Sequence, residues 1–384
     1  MKKKILIVGG SHSEIPLVRA AKALGFYVIT TGNQPQGLAH READEYQAAD
    51  YADREAVCRL AEKLDIDHIC FGAHDLSMIS TVYTAQKLGL GSFDTLETTL
   101  LLHHKDRFKR FAASHRLATP AAKDFSSEEK ALEYASARPL PFVVKPVDLG
   151  GGKGIRIVRR HEEAGEAIRE AFRFSKTGNI VIEAYFEGSL HSFSTFIVDR
   201  KIVFSHADDE YPCRDNPYGV CTSTAPATDF EAVEKKLREE TERVAQLLGL
   251  EDGLLHLQYL QNGEDIAVVE FTRRMPGDMY NVPVERLTGF PYAENVVRSC
   301  CGMPIRVPSV RPKEKYVSRH CIVSRDRGKR FETDAKLETY IFDRCIWGDA
   351  QNMDKQGILF LEYGTFGEMR RMTSAIDTLI RLKD

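Results

Sequence analysis

The segment Pro141–Arg156, P-F-V-V-K-P-V-D-L-G-G-G-K-G-I-R, decides how the rest of the chain is read. Phe142 to Val144 is a short apolar, β-favouring run that ends in Lys145. Pro146 and an acid follow, then Gly150, Gly151, Gly152 and Gly154 around Lys153, and apolar alternation resumes from Ile155 to Val158. The pattern predicts strand, glycine-rich loop, strand. Glycines lack Cβ and admit positive φ, so their N–H groups converge readily on an anion. Lys153 at the tip and Lys145 at the strand end add positive charge. The segment is not a Walker loop: G-x-x-x-x-G-K-[ST] is absent, and a strand follows where a helix is required. Two readings stand, a phosphate cradle or an ordinary hairpin with a glycine-rich turn.

The chain around it has 384 residues, which predicts two or three domains. With 43% hydrophobic and 28% charged residues it has the composition of a soluble globular protein. Its 53 basic and 56 acidic residues point neither to nucleic acid nor to a membrane surface as partner. The eight cysteines include no C-x-x-C, and reduced thiols in a cytoplasm are expected. The N-terminal M-K-K-K-I-L-I-V-G-G has too short an apolar run for a signal peptide, and no run reaches membrane-spanning length.

Before the glycine-rich segment, strand and helix alternate. Ile5 to Val8 reads as a buried parallel strand, with Ser13 as the N-cap of a helix closed by Gly25. Strands at Tyr27–Thr30 and His68–Phe71 and helices at Asp53–Leu64 and Leu76–Leu88 follow, so the first ~100 residues form a doubly wound α/β unit. Its first turn, G-G-S-H-S-E, lacks the dinucleotide fingerprint. Asp75 lies at the carboxyl edge of the third strand, either as a helix cap or as a substrate contact. Leu100–Leu117 is a basic helical stretch that places Lys105 and Lys109 on one face, usually a solvated one.

After it, Ile180–Phe186 is a strand with Glu183 inside an apolar run, and Phe193–Val198 with Lys201–Ser205 forms a hairpin. Asp208–Ser223 reads as a long polar loop, a functional candidate. Asp229 leads an amphipathic helix to Leu248. Two antiparallel strands, Leu254–Leu260 and Ile266–Phe271, turn at Asn262-Gly263. They let Gln258 and Glu270 meet, with Thr272 and Arg274 following at alternate positions on the same face. A carboxylate in A-V-V-E-F-T needs an arginine, hydrogen bonds or a metal, and Mg²⁺ takes oxygen ligands shared with nucleotide phosphates. A structural Glu270–Arg274 pair is the alternative. From about Pro304 a small β-rich tail ends in a strand, Gly357–Tyr363, and a helix, Phe366–Leu382.

Lys105, Lys145 on a strand, the glycine-rich loop, Glu183 on a strand, then Gln258 and Glu270-x-Thr272-x-Arg274 occur in an order that resembles the ATP-grasp superfamily, carboxylate–amine ligase type. The resemblance covers nearly the whole chain. It implies an α/β protein: a parallel-sheet domain at residues 1–100, an ATP-grasp region at 101–303 with a lid at about 120–188, and a C-terminal α+β domain at 304–384. It implies an ATP-dependent ligase that activates a carboxylate as an acyl phosphate and joins it to an amine. A kinase without ligation, or a nucleotide-binding protein without catalysis, is the competing reading.

The resemblance also implies roles. Lys105 and Lys145 reach ATP phosphates, and Gly150, Gly151, Gly152, Lys153 and Gly154 form the mobile lid. Glu183 reads the adenine, with the main chain of Ala184, Tyr185 and Phe186 as hinge. Glu270, Gln258 and Thr272 hold Mg²⁺ or Mn²⁺, and Arg274 holds the acyl phosphate; Lys145, Glu270 and Arg274 are the catalytic set. Asp75, Arg274 and Asp278 are the substrate contacts, and homodimers are frequent in resembling families. The chain departs from the family pattern at three places. Gln258 stands for a Glu and Thr272 for an Asn; Leu190 stands where a ribose-binding Glu is common, with His191 as its substitute.

Overall fold

Ile5 to Val8 are apolar without alternation because both faces of their strand are covered. β1 (Lys4–Val8), α1 (Ile15–Ala23), β2 (Tyr27–Gly32), β3 (Glu45–Ala48), α2 (Arg54–Leu64), β4 (His68–Phe71) and α3 (Asp75–Leu88) build the first layer. Its sheet is parallel, in the order β3-β2-β1-β4. Leu6 and Val8 pack with Val57 and Ala61 of α2, while Ile5 and Ile7 pack with Leu17 and Val18 of α1. The computed structural model describes residues 2–149, 152–213, 216–308, 315–324, 330–332, 338–341, 354–376 and 381–383. The polar edge strand β3 carries no apolar pattern and is absent from the sequence reading. The cap before α1 is Ser11, not Ser13: Ser11 and Glu14 form a capping box around a short 3-10 turn.

The basic stretch is two helices, α4 (Leu96–His103) and α5 (Lys105–His115), broken at His104, whose backbone is extended. There follow β5 (Ala122–Phe125), α6 (Glu128–Ser136), β6 (Phe142–Pro146), β7 (Arg156–Val158), α7 (Ala164–Phe174) and β8 (Ile180–Ala184). The strands form a small antiparallel sheet in the order β5-β8-β6-β7. α6 and α7 cover one face with Ala131, Ala135, Ala167, Ile168 and Ala171 against Phe142, Val144 and Ile182. The opening segment is therefore strand, loop, strand, with Phe142 paired to Val158. Gly150 and Gly151 lie outside the described residues. Gly152 has φ +77°, and a Cβ there would stand 2.4 Å from the main chain of Tyr218, so this position admits glycine alone.

The third layer contains β9 (Ser189–Val198), β10 (Lys201–Cys213), β11 (Asn216–Ala225), α8 (Glu234–Leu248), β12 (Gly253–Asn262) and β13 (Asp265–Thr272). Then come α9 (Asn281–Thr288), α10 (Tyr292–Cys300), β14 (Tyr316–Ser324), β15 (Arg330–Glu332), β16 (Glu338–Ile341), β17 (Asp354–Tyr363), α11 (Phe366–Ser374) and β18 (Arg381–Lys383). Eight strands join in one sheet, β13-β12-β9-β10-β11-β14-β17-β16. Phe193, Ile197, Leu255, Leu257 and Tyr259 face α5 and α8. Phe196 and Leu254 face the other way, toward Phe290, Tyr292 and the first layer.

This sheet corrects several expectations. Asp208–Ser223 is a hairpin rather than a loop, and Cys213 is disulfide-bonded to Cys221 across it rather than reduced. Strands from the expected C-terminal tail continue the large sheet. The last helix ends at Ser374, not Leu382.

One irregularity positions the site. Gln258 pairs with Glu270, but Tyr259 pairs with Val268, so Val269 is an extra residue in β13. Without this bulge Val268 and Glu270 would share a face. With it, Ile266, Val268 and Phe271 stay in the α8-side core while Glu270 faces the opposite way. Beyond β13, Arg273 is buried: Nε donates to Asp94 Oδ2 (2.7 Å), Nη1 to Leu254 O (2.6 Å) and Nη2 to Glu251 O (2.7 Å). Replacing Arg273 by Ala leaves the Asp94 carboxylate buried without its ion partner, and urea unfolding at neutral pH should show a loss of about 3–5 kcal/mol.

Candidate active site

The small sheet supplies a cationic wall. On β8 Glu183 lies opposite Val143, so Lys145, two residues along β6, shares its face. Lys145 Nζ donates to Glu183 Oε1 at 2.7 Å, and Lys109 Nζ on α5 lies 3.1 Å from Oε2. Lys109 also donates to Thr119 Oγ1 (2.5 Å), whose hydroxyl donates to Val268 O (2.9 Å). All three charged groups are buried. Burial opposes the Glu183 carboxylate, but the two ammonium groups outweigh it and hold its pKa down to about 2. Burial pushes Lys109 down to about 8, because it shares one carboxylate with Lys145.

Lys105 begins α5 and spans two sheets. Its Nζ donates to Leu149 O at the edge of the glycine-rich loop (2.7 Å) and lies 3.5 Å from Glu270 Oε2 on the large sheet. Gln258 and Glu270 are direct cross-strand partners, as are His256 and Thr272. A narrow cleft runs along this face, lined by Asp75, His103, Lys105, Glu270 and Thr272. Gln258 Nε2 donates to Glu210 Oε2 on β10 (2.6 Å), and burial raises the Glu210 carboxyl to about 7. Thr272 Oγ1 accepts from the N–H of Arg274 at 3.3 Å.

Arg274 does not pair with Glu270 as the structural alternative required. Its Nε donates to Asp75 Oδ1 (2.8 Å), which also meets His103 Nδ1 (2.9 Å). Burial works against the Asp75 carboxylate, yet Arg274 and His103 hold it well below the usual range. Asp75 is no cap; His74 Nδ1 accepts from the N–H of Leu76 instead. Asp278 is engaged from three directions: Lys355 Nζ meets both its oxygens (2.5 and 2.6 Å), His12 Nε2 lies 3.0 Å away, and its N–H donates to Ser13 Oγ. Arg319 donates to the carbonyls of Gly277 and Asp278, and φ is +57° at Asp278 and +55° at Met279. Two adjacent non-glycine residues in the left-handed region mark a segment held by its surroundings.

The structure thus brings together Lys105, Lys145, Glu183, Gln258, Glu270, Thr272, Arg274 and Asp75, with Gly152, Lys153 and Gly154 at the loop. Ala184 ends β8, its N–H donating to Ala121 O, and Tyr185 and Phe186 lead toward β9. His191 is not brought in. It sits on the opposite face of β9 from Ser192, stacked on Tyr259, with Nδ1 2.9 Å from Asp209. Glu210, Arg273 and Lys355 escaped the sequence reading, and Lys109, expected on a solvated face, is buried. Glu210 left a signal: His206, Asp208 and Glu210 recur with the period of a strand around Ala207.

The family described as phosphoribosylglycinamide synthetase, ATP-grasp (A) domain, matches residues 103–248, the span that carries both lysines, the glycine-rich loop and Glu183. The chain carries an ATP-grasp domain. It is similar to phosphoribosylamine–glycine ligase of Haemophilus influenzae, 25% identical over 78% of this chain and 73% of that one. The Pyrococcus furiosus protein of the same name is 29% identical over 54% of this chain and 48% of its own. The crystal structure of L-amino acid ligase from Bacillus licheniformis superposes with a TM-score of 0.80, at 16% identity, over 100% of this chain and 99% of that one. The ATP-grasp architecture accounts for the two antiparallel sheets that converge on Lys105, behind the parallel first layer.

The charge arrangement sets how stability depends on pH. Because the folded-state pKa of Glu183 is depressed, its contribution is complete above the unfolded value near 4.5 and fades as pH falls toward 2. Glu183→Gln should lower stability at pH 7 by roughly 3 kcal/mol. Urea unfolding from pH 7 to 2 should show wild type and variant converging at the acid end.

Proposed function

We propose that the protein is an ATP-dependent ligase that activates a carboxylate as an acyl phosphate and joins it to an amine. The observation that carries this is Lys105, which touches the loop edge on one sheet and the Glu270 carboxylate on the other. A triphosphate entering between the sheets meets Lys105 and Lys145 from one side and the oxygen donors Gln258 and Glu270 from the other. These donors fit a hard divalent cation. Gln258 Oε1 has no hydrogen bond among the described residues, and Lys105 is the cationic neighbour of Glu270. Mg²⁺ or Mn²⁺ at this place neutralises phosphate charge. Thr272 Oγ1 accepts from the N–H of Arg274 and so helps to orient the arginine.

In the first step a carboxylate oxygen of the substrate attacks the γ-phosphorus, and ADP leaves. Phosphoryl transfer asks the protein for alignment and charge neutralisation rather than for a nucleophile. Lys145 turns from Glu183 to the phosphates, while Lys109 keeps Glu183 ionised. Gly152, Lys153 and Gly154 close over them, and Ala184–Phe186 line the adenine end. Arg274, fixed by Asp75, directs its remaining N–H groups to the acyl phosphate. In the second step the amine nitrogen attacks the acyl carbon, phosphate departs, and the nitrogen loses a proton to give the amide. Asp278 bounds the acceptor side as a tether for His12 and Lys355 rather than as a free carboxylate.

The partners are small carboxylate and amine substrates. The proposed setting is the cytoplasm. Among the described residues no helix is long and apolar enough to cross a membrane.

A screen of carboxylates, each with and without amines, should show ADP release only when both are present, with an amide as product. Glu270→Ala should lower kcat about 10²-fold or more. ADP release from one substrate alone with a stable phosphorylated product, or an active Glu270→Ala variant, would overturn the reading.

A further inference from the structure

A primary amide offers a cation either its oxygen or its NH₂, and only the oxygen is a ligand. At Gln258 the choice is made by a neighbour two strands away. Gln258 Nε2 donates to Glu210 Oε2 at 2.6 Å. In the order β13-β12-β9-β10, Glu210 and Glu270 lie on opposite sides of Gln258. Committing the NH₂ to Glu210 therefore leaves Oε1 for the Glu270 side. The contact crosses β9 diagonally, from the Gln258–Ser192 row to the Leu190–Glu210 row, and the small Ser192 leaves room for it. Glu210 is itself 8% exposed and backed by Ser223, its cross-strand partner, whose hydroxyl accepts from Arg319 Nε at 3.2 Å. A carboxyl group this deep, aimed at an amide, is an orienting device.

We infer that Glu210 is the positioning residue that turns Gln258 Oε1 toward the divalent cation, so that positions 210 and 258 together do what a carboxylate at 258 would do alone. This rests on the ATP-dependent reading above. Exchanging the two groups keeps the same hydrogen bond with donor and acceptor reversed. A glutamine at 210 then donates to a glutamate at 258, whose second oxygen is a ligand in either orientation. Replacing Glu210 alone sets amide against amide, and the orientation is lost.

The test is Mn²⁺ binding to the full chain at saturating ADP, followed by electron paramagnetic resonance. Glu210→Gln should weaken Mn²⁺ binding about tenfold or more, the range for an outer partner of a metal ligand, and leave ADP affinity without metal unchanged. The double variant Glu210→Gln/Gln258→Glu should bind Mn²⁺ within about threefold of wild type by the same reasoning. Equal Mn²⁺ affinity in wild type and Glu210→Gln overturns the inference, as does a double variant no better than Glu210→Gln. If the single variant does not fold, the double variant decides by itself, since it retains the bond. A wild-type chain that binds no Mn²⁺ with ADP removes the nucleotide reading itself, an outcome distinct from unchanged affinity in the variant.

Discussion

A strand can show a core only every second residue, and β13 has to serve a core and a charged cleft between Ile266 and Thr272. The extra residue at Val269 resolves the conflict. Before it, Ile266 and Val268 face the α8-side core; after it, Phe271 continues that face while Glu270 and Thr272 turn to the cleft. Because β12 is in register with β13 beyond the bulge, Gln258 and His256 are carried to the same side. The Gln258–Glu270 pair, and the approach of Lys105 to Glu270, depend on that one shift in register.

Around the cleft, charges are paired before any ligand is considered. Arg274 rests on Asp75, Arg273 on Asp94, Lys145 and Lys109 on Glu183, and Lys355 on Asp278. Buried charges without partners would be too costly to keep. The pairs differ in what they can release. Arg273 is spent on three protein acceptors and serves structure, whereas Lys145 shares its one carboxylate with a second ammonium, that of Lys109. Two adjacent arginines thus acquire different duties from the direction in which each leaves the end of β13.

Much of this was legible in the chain. Continuous apolar runs marked the parallel strands, and the order of Lys105, Lys145, Glu183 and Glu270 marked the two sheets and their cleft. What was hidden has physical reasons. β10 and β11 are polar on one face and contain Pro212, Pro217 and Gly219, the residues of a loop, so Glu210 did not read as a strand position. Lys109 lies in a charge run that is ordinarily solvated, and only the packing of α5 against β8 buries it. His191 sits near the expected ribose position in sequence, but alternation along β9 sends it to the far face. Lys355 and His12 meet Asp278 through contacts that no local pattern encodes.

The two sides of the site also differ in when they can come into being. Lys105, Lys145, Glu183 and Glu270 belong to one stretch of chain and assemble within it. Asp278 finds His12 266 residues earlier and Lys355 77 residues later. Lys355 lies on β17, which is synthesised after every residue of the cleft between the two antiparallel sheets. The Asp278–Met279 turn therefore gains its Lys355 anchor only once the last strands of the large sheet are in place.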